Sequence, residues 1–252
     1  MLLAIDIGNT NIVLGLFAGE KLIHKFRLDT IKSKSEEDYA IDIVELFLNS
    51  KIDCLKITSV VIASVVPNLT NTIEKAVQKF YNGDALVVGK NLKLNIEVAI
   101  KNKQEVGFDR LINAIAGYKK FGGNLIIVDF GTATTFDVVG TNGEYLGGVI
   151  APGVNLSIKA LHDMTAQLPK IQVKAQQNVI GKSTIEAMNS GIYFGYISLA
   201  EGLIAKIKAE YNQEMQVIIT GGLSALFGNA LTSKDNIQPD LTLEGLRLSI
   251  SK

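Results

Sequence analysis

The chain has 252 residues, with 25 Lys plus Arg against 25 Asp plus Glu, so its formal net charge is zero. That length suits two domains of about 125 residues each; 47% apolar residues supply a core, and 20% charged residues exclude a disordered chain. Zero net charge gives no electrostatic ground for a nucleic-acid partner or an anionic membrane surface. The one cysteine, Cys54, cannot form an internal disulfide, and with only His24 and His162 beside it no four-coordinate Cys/His zinc site can be completed. Met1–Ile5 runs straight into Asp6, too short for a signal peptide, and no uncharged apolar run approaches membrane-spanning length. These features predict a cytoplasmic globular protein with no membrane association.

In chain order, Leu2–Ile7, Ile12–Phe17 and Leu22–Arg27 read as a β-meander punctuated by Gly8-Asn9-Thr10-Asn11 and Ala18-Gly19-Glu20. Ala40, Ile43, Val44, Phe47 and Leu48 recur at helical spacing and predict a helix over 36–48. The β-branched run Val60–Val66 predicts a buried strand stopped by Pro67, followed by a helix over 69–80 and a strand over 85–88. The second half repeats the plan: strands over 124–129, 135–139 and 145–150, the last pair joined by an Asn142-Gly143 turn, then a helix over 154–162. Ser183 with Glu186 three residues on forms a capping box that opens a long helix to about Tyr211. A strand over 215–220 and a helix over 241–249 complete the chain. Alternating strands and helices predict an α/β sandwich with a mostly parallel component.

Ala4-Ile5-Asp6-Ile7-Gly8-Asn9-Thr10-Asn11 lines up with Ile127-Val128-Asp129-Phe130-Gly131-Thr132-Ala133-Thr134, 123 residues further on, almost half the chain. In each copy an Asp ends an apolar strand and is followed by Gly and small polar residues. Gly permits a tight turn whose N–H groups point at an anion, and the carboxylate suits a hard cation. One such hairpin is most simply a β-turn stabilised by Asp; two copies half a chain apart favour a pair of hairpins clamping a polyphosphate. Gly181-Lys182-Ser183 resembles the end of a P-loop, but Gln176 stands where that motif needs Gly, which leaves a turn and a helix cap with Thr184 as a candidate ligand contact. Asp109, in Gly107-Phe108-Asp109-Arg110, is either a helix N-cap or a base for a substrate hydroxyl, with Arg110 gripping a carboxylate. Gly221-Gly222 is either a place for an adenine ring against the backbone or a tight turn. Gly191 and Gly195, four apart in the long helix, each cost about 1 kcal/mol relative to Ala and so imply a close helix crossing. Gly147-Gly148 and Pro152-Gly153 read as turn punctuation.

Together Asp6–Asn11, Gly107–Arg110, Asp129–Thr135, Gly147–Gly153 and Thr220–Gly222 resemble the type III pantothenate kinases, of the acetate and sugar kinase, heat-shock ATPase and actin superfamily. The resemblance spans residues 6–222. It implies an α/β fold of two similar ribonuclease-H-like lobes, each a mixed sheet with flanking helices, here divided as 1–117 and 118–252 and closing on a nucleotide. It also implies ATP-dependent phosphorylation of pantothenate, the first step towards coenzyme A. In this chain Asp6, Ile7, Gly8, Asn9, Thr10, Asn11, Ile12, Val13 and Thr132 would bind ATP. Gly107, Phe108, Asp109, Arg110 and Thr184 would bind pantothenate, with Asp109 the catalytic base. Asp6 would hold Mg²⁺ through water, and Asp129 a monovalent cation, K⁺ or NH₄⁺. The family is homodimeric, which would give Gly191 and Gly195 their reason.

The chain departs from the family's Y-x-x-P-x-x-V-G-x-D-R pattern. Ile100 and Lys103 replace Tyr and Pro, and Phe108 stands at a site usually small. Loss of the aromatic hydroxyl is expected to weaken pantothenate binding, and Phe108 to reshape the pocket. Two alternatives remain at this stage: a kinase of the same superfamily acting on a sugar or another small acid, and a non-catalytic regulatory homologue.

Overall fold

The computed structural model describes residues 1–250 and divides into two compact units. One comprises Met1–Ile96, Gln104–Ala116 and the chain from Thr242 on; the other comprises Glu97–Lys103 and Gly117–Leu241. The first sheet contains β1 (Leu2–Ile7), β2 (Asn11–Ala18), β3 (Lys21–Asp29), β4 (Ser59–Ser64) and β5 (Leu86–Val87), in the order β3-β2-β1-β4-β5. The second contains β6 (Leu125–Phe130), β7 (Ala133–Val139), β8 (Tyr145–Pro152), β9 (Gln216–Thr220) and β10 (Asn236–Ile237), in the order β8-β7-β6-β9-β10. In both, the first three strands form an antiparallel meander, and the other two join parallel to the first of them. The duplication seen in eight residues is thus a duplication of strand order and strand sense. The sheets are mixed, half parallel and half antiparallel, as the family resemblance implied, whereas the alternation of strands and helices alone pointed to a mostly parallel component. The meander is the reason: a short hairpin can join only antiparallel neighbours.

Burial follows strand position. The central β1, flanked on both sides, is apolar on both faces, whereas the edge strand β3 alternates exposed and half-buried residues. Leu3, Ile5 and Ile7 of β1 pack with α1 (Glu36–Asn49) and α2 (Pro67–Gln78), through Tyr39, Ile43, Phe47, Leu69 and Ile73. Each such aliphatic side chain, once buried, contributes about 1.5–3 kcal/mol. Ser35 and Asp38 close a reciprocal capping box at the start of α1. Pro67, expected to stop a strand, is instead the first residue of α2; its missing N–H costs nothing at that position.

The opposite face of the first sheet is covered by α3 (Phe108–Phe121) and α7 (Leu241–Ser249), whose Ile112, Leu243 and Leu246 pack on Ala4, Phe17, Val61 and Ala63. The division at residue 117 is therefore corrected at the C-terminus, since the last helix packs with the first sheet. Thr242 Oγ1 donates to Asn113 Oδ1 at 2.8 Å, and Gly245 lies so close to α3 that a Cβ there would strike the Ile112 carbonyl.

In the second unit, Ile126, Val128, Phe130, Val217 and Ile219 pack on α4 (Val154–Asp163), α5 (Thr184–Tyr211) and the short α6 (Ser224–Gly228). Ser183 accepts the Glu186 N–H at 3.3 Å, as its capping role requires; the Glu186 carboxylate reaches the Lys182 N–H, one residue earlier than in a standard box. Asn212, left-handed at φ 54°, terminates α5. Among the described residues no helix is long and apolar enough to cross a membrane.

The α3–α7 approach is testable. Alanine at position 245 gains about 1 kcal/mol of helix propensity, but its Cβ meets main chain that no rotamer change can move, at an over-packing cost of about 1–3 kcal/mol. Gly245→Ala should therefore lower Tm in scanning calorimetry despite the propensity gain; a raised Tm would place α7 away from α3.

Candidate active site

The carboxyl end of β1 leads into a four-residue loop, residues 8–11, closed by the Ile7–Ile12 pair. The Gly8 N–H donates to the Asn11 carbonyl at 2.9 Å. Thr30, at the end of β3, grips the loop from outside: its Oγ1 donates to the Gly8 carbonyl at 2.7 Å and its N–H to the Thr10 carbonyl at 3.0 Å. Tyr39, fully buried, holds Ile31 next to it through its hydroxyl, which accepts the Ile31 N–H at 2.9 Å. Asn9 and Thr10 are exposed at the tip and Asp6 is half-buried. Ile7 and Ile12 turn their side chains into the core and are wholly buried.

β4 runs parallel to β1 and brings Ser64 beside Ile7. The Val65 N–H donates to the Ile7 carbonyl at 3.0 Å, and Val65 Cγ1 lies 3.9 Å from where a Gly107 Cβ would stand. The Gly107–Arg110 segment is thereby gathered at the carboxyl ends of β1 and β4, where ligands bind in open α/β sheets.

Asp109 is the second residue of α3, not the residue before it. Its Oδ1 accepts the Arg110 N–H at 2.9 Å, whereas a capping Asp would accept from two or three residues on. The Gly107 carbonyl accepts from Arg110 at 3.1 Å, and a Cβ on Gly107 would collide with the Asp109 carboxylate. The N-cap alternative for Asp109 is set aside on this geometry. Burial raises the Asp109 pKa above the ordinary Asp value, opposed by the Arg110 N–H and the Arg110 charge. Phe108 sends its ring into the unit's own core beside Gly89, Val88 and Ala63.

In the second unit Asp129 stands in register with Thr135 on one side and Thr220 on the other. The loop between Phe130 and Thr134 has three residues, one fewer than its counterpart, and the Gly131 N–H donates to the Ala133 carbonyl at 3.1 Å. Two glycines crowd it. Gly153, the N-terminal cap of α4, stands against the Thr132 carbonyl. Gly221, left-handed at φ 93°, lies over the Asp129 carboxylate. Neither is mere punctuation, because a side chain at either position would fill the space around the turn. Thr132 is exposed, as is Thr184, the first residue of α5. Gly181 packs on the first turn of α5, which suits a turn and not a phosphate loop.

A family model described as type III pantothenate kinase matches residues 2–206. The chain belongs to that family. Type III pantothenate kinases from Geotalea daltonii and Exiguobacterium sp. are 43% and 42% identical over 248 residues, covering 98% of this chain and 97% of theirs. The activator of 2-hydroxyisocaproyl-CoA dehydratase from Clostridium difficile, solved with bound ADPNP, matches with a TM-score of 0.54 at 12% identity, over 98% of this chain and 95% of that one. Component A of (R)-2-hydroxyglutaryl-CoA dehydratase from Acidaminococcus fermentans gives 0.53 at 12% identity over 99% of each chain. At such identity these two structures share the fold alone.

For a type III pantothenate kinase the sequence reading overlooked Thr30, Val65 and Gly89. Their link to the site runs through main-chain contacts of distant segments, and the only local signal is a Thr closing a strand and a Gly following one.

The raised Asp109 pKa has a stability consequence. The folded state keeps this proton to higher pH than the unfolded chain, so stability falls as pH rises from the ordinary Asp value through the raised one. Above the raised value the desolvated carboxylate is a net cost. Asp109→Asn should show a higher Tm than wild type at pH 7, with the gain shrinking towards about pH 4; an equal or lower Tm at pH 7 would mean that local hydrogen bonds offset the desolvation.

Proposed function

We propose that the chain transfers the γ-phosphoryl group of ATP to the primary hydroxyl of pantothenate, with Asp109 as the base that accepts the hydroxyl proton. The observation that carries this reading is the half-buried Asp109 carboxylate in the first turn of α3, its pKa raised by desolvation, with Arg110 next in sequence. A raised pKa brings a carboxylate nearer to the working pH and strengthens it as a base. As the hydroxyl oxygen bonds to the γ-phosphorus, its proton passes to Asp109 and the bond from that phosphorus to the β,γ-bridging oxygen breaks, releasing ADP. Arg110 is assigned to the pantothenate carboxylate, whose planar pair of oxygens its guanidinium matches. Gly107 and Phe108 contribute main chain, and Thr184 a hydroxyl, to substrate binding.

The ATP phosphates are assigned to the Gly8–Asn11 turn, with Asp6, Ile7, Ile12 and Val13 supporting it, and to Thr132. Phosphoryl transfer depends on charge neutralisation and alignment, which turn N–H groups and hydroxyls provide. Asp6 would hold Mg²⁺ through water, and the ion would supply neutralisation of phosphate charge. Asp129, whose carboxylate lies against Gly221 where a Cβ would stand and which is in register with the buried Thr220, offers the oxygen donors that K⁺ or NH₄⁺ would take. Cytoplasmic residence is consistent with Cys54, whose thiol burial pushes towards the protonated, unreactive form.

Homodimerisation is supported by α5. Ala187, Gly191, Gly195, Ser198, Gly202, Ala205 and Ala209 follow one helical face, all exposed, and a Cβ added at any of the three glycines meets nothing within 4 Å. Three mid-helix glycines cost about 1 kcal/mol each, which a close crossing with the same face of a second copy would offset.

A coupled ADP-release assay with pantothenate tests the activity; no turnover with either K⁺ or NH₄⁺ would sink it. Asp109→Asn should reduce kcat by about 10²–10⁴-fold while calorimetry shows ATP-analogue binding retained. Light scattering should give a dimer, and Gly195→Leu a monomer; a wild-type monomer would remove the role given to α5.

A further inference from the structure

Gly89 follows β5 in a turn tied firmly to the first sheet. Val88 donates to the Ile62 carbonyl at 2.9 Å and Gly89 to the Leu92 carbonyl at 2.9 Å. Asn91 pins the same turn, accepting the Val87 N–H at 2.6 Å and donating to the Ala85 carbonyl at 3.0 Å. Gly89 is left-handed at φ 80°, and the place its Cβ would take is already occupied by Phe108: Cε2 would lie 2.6 Å away, Cε1 3.2 Å, and Cζ closer than either. The Phe108 ring also packs with the cluster of Val88, Ala63 and Ile112. Phe108 is the first residue of α3, adjoining Asp109 and Arg110.

We propose that Gly89 is a positioning residue of this kinase: the notch it leaves seats the Phe108 ring, and that seat fixes the first turn of α3, on which Asp109 and Arg110 stand. This inference rests on the assignment of Asp109 as base. The aromatic ring is stiff and packs against that cluster, so a methyl group at position 89 moves the turn of helix and not merely the ring. A displacement of about 1 Å at a reacting group is enough to cost about 10²-fold in rate. The ATP-binding loop at Gly8–Asn11 is a different segment, held by Thr30, and is not displaced with it.

The test is a double-mutant cycle read as kcat and the KM for ATP. Gly89→Ala should lower kcat by about 10–100-fold with the KM for ATP within about twofold of wild type. Leucine at 108 makes room for the methyl group, so Gly89→Ala/Phe108→Leu should recover kcat to the level of Phe108→Leu alone, a non-additivity that contacting residues show and a general loss of stability does not. Gly19→Ala is the matched control: Gly19 is also left-handed, at φ 61°, but with nothing within 4 Å of the added Cβ, so it should lower Tm and leave kcat unchanged. If Gly89→Ala proves too unstable to assay, Phe108→Ala empties the same seat and should itself lower kcat with the KM for ATP retained. Wild-type kcat in Gly89→Ala, or in Phe108→Ala, overturns the inference, as does a Gly89→Ala loss that Phe108→Leu fails to relieve. An Asp109→Asn enzyme with full activity would instead overturn the assignment of the base.

Discussion

Each sheet depends on one strand that pairs antiparallel on one side and parallel on the other, β1 in the first and β6 in the second. Such a strand is covered on both faces and both edges, so its residues are apolar until its last turn of pleat. There the hairpin loop begins, and the chain after the parallel neighbour continues beside it. Asp6 and Asp129 stand just before that loop, each still in register with a neighbour on both sides. The meander, the helices behind it and the loops at the carboxyl ends all take their places from this junction.

The same constraint explains the glycines that crowd the second hairpin. A loop at the end of a buried strand is approached by the segments that follow the parallel neighbours, Val65 after β4 and Gly221 after β9, and in the second sheet also by Gly153, which follows β8 at the end of the meander. These approaches are close enough that Cβ atoms at Gly153 and Gly221 would fall on the Thr132 carbonyl and the Asp129 carboxylate. A left-handed backbone is needed at Gly221 and Gly89, but not at Gly153, where the requirement is space alone. The two turns differ by one residue, so the copies share an architecture without presenting identical sets of N–H groups.

Much of this was legible in the chain. Strands and helices announced themselves by period, and the ends of α5 and α7 fell where Ser183, Tyr211, Leu241 and Ser249 placed them. The short α6 and β10 were not legible, because five and two residues cannot display a period. Pro67 misled because the signal that stops a strand also starts a helix. For Asp109, the local reading weighed a cap against a base, and the cap yields only because the helix begins two residues earlier than that role requires.

What the sequence by itself determined was local and repetitive: the alternating α/β plan, the two Asp-Gly hairpins half a chain apart, the cap at Ser183, and the run Gly107–Arg110 that with those hairpins marks the family. The tertiary structure alone decided that α7 packs on the first sheet, that Thr30 grips the Gly8 loop, that Phe108 lies in the notch of Gly89, and that the Asp109 carboxylate is desolvated. The physical reason is common to all four. Each is a contact between segments far apart in the chain, made by a side chain or a missing Cβ whose role has no period and no fixed spacing. Such contacts exist only once the sheet has brought those segments together.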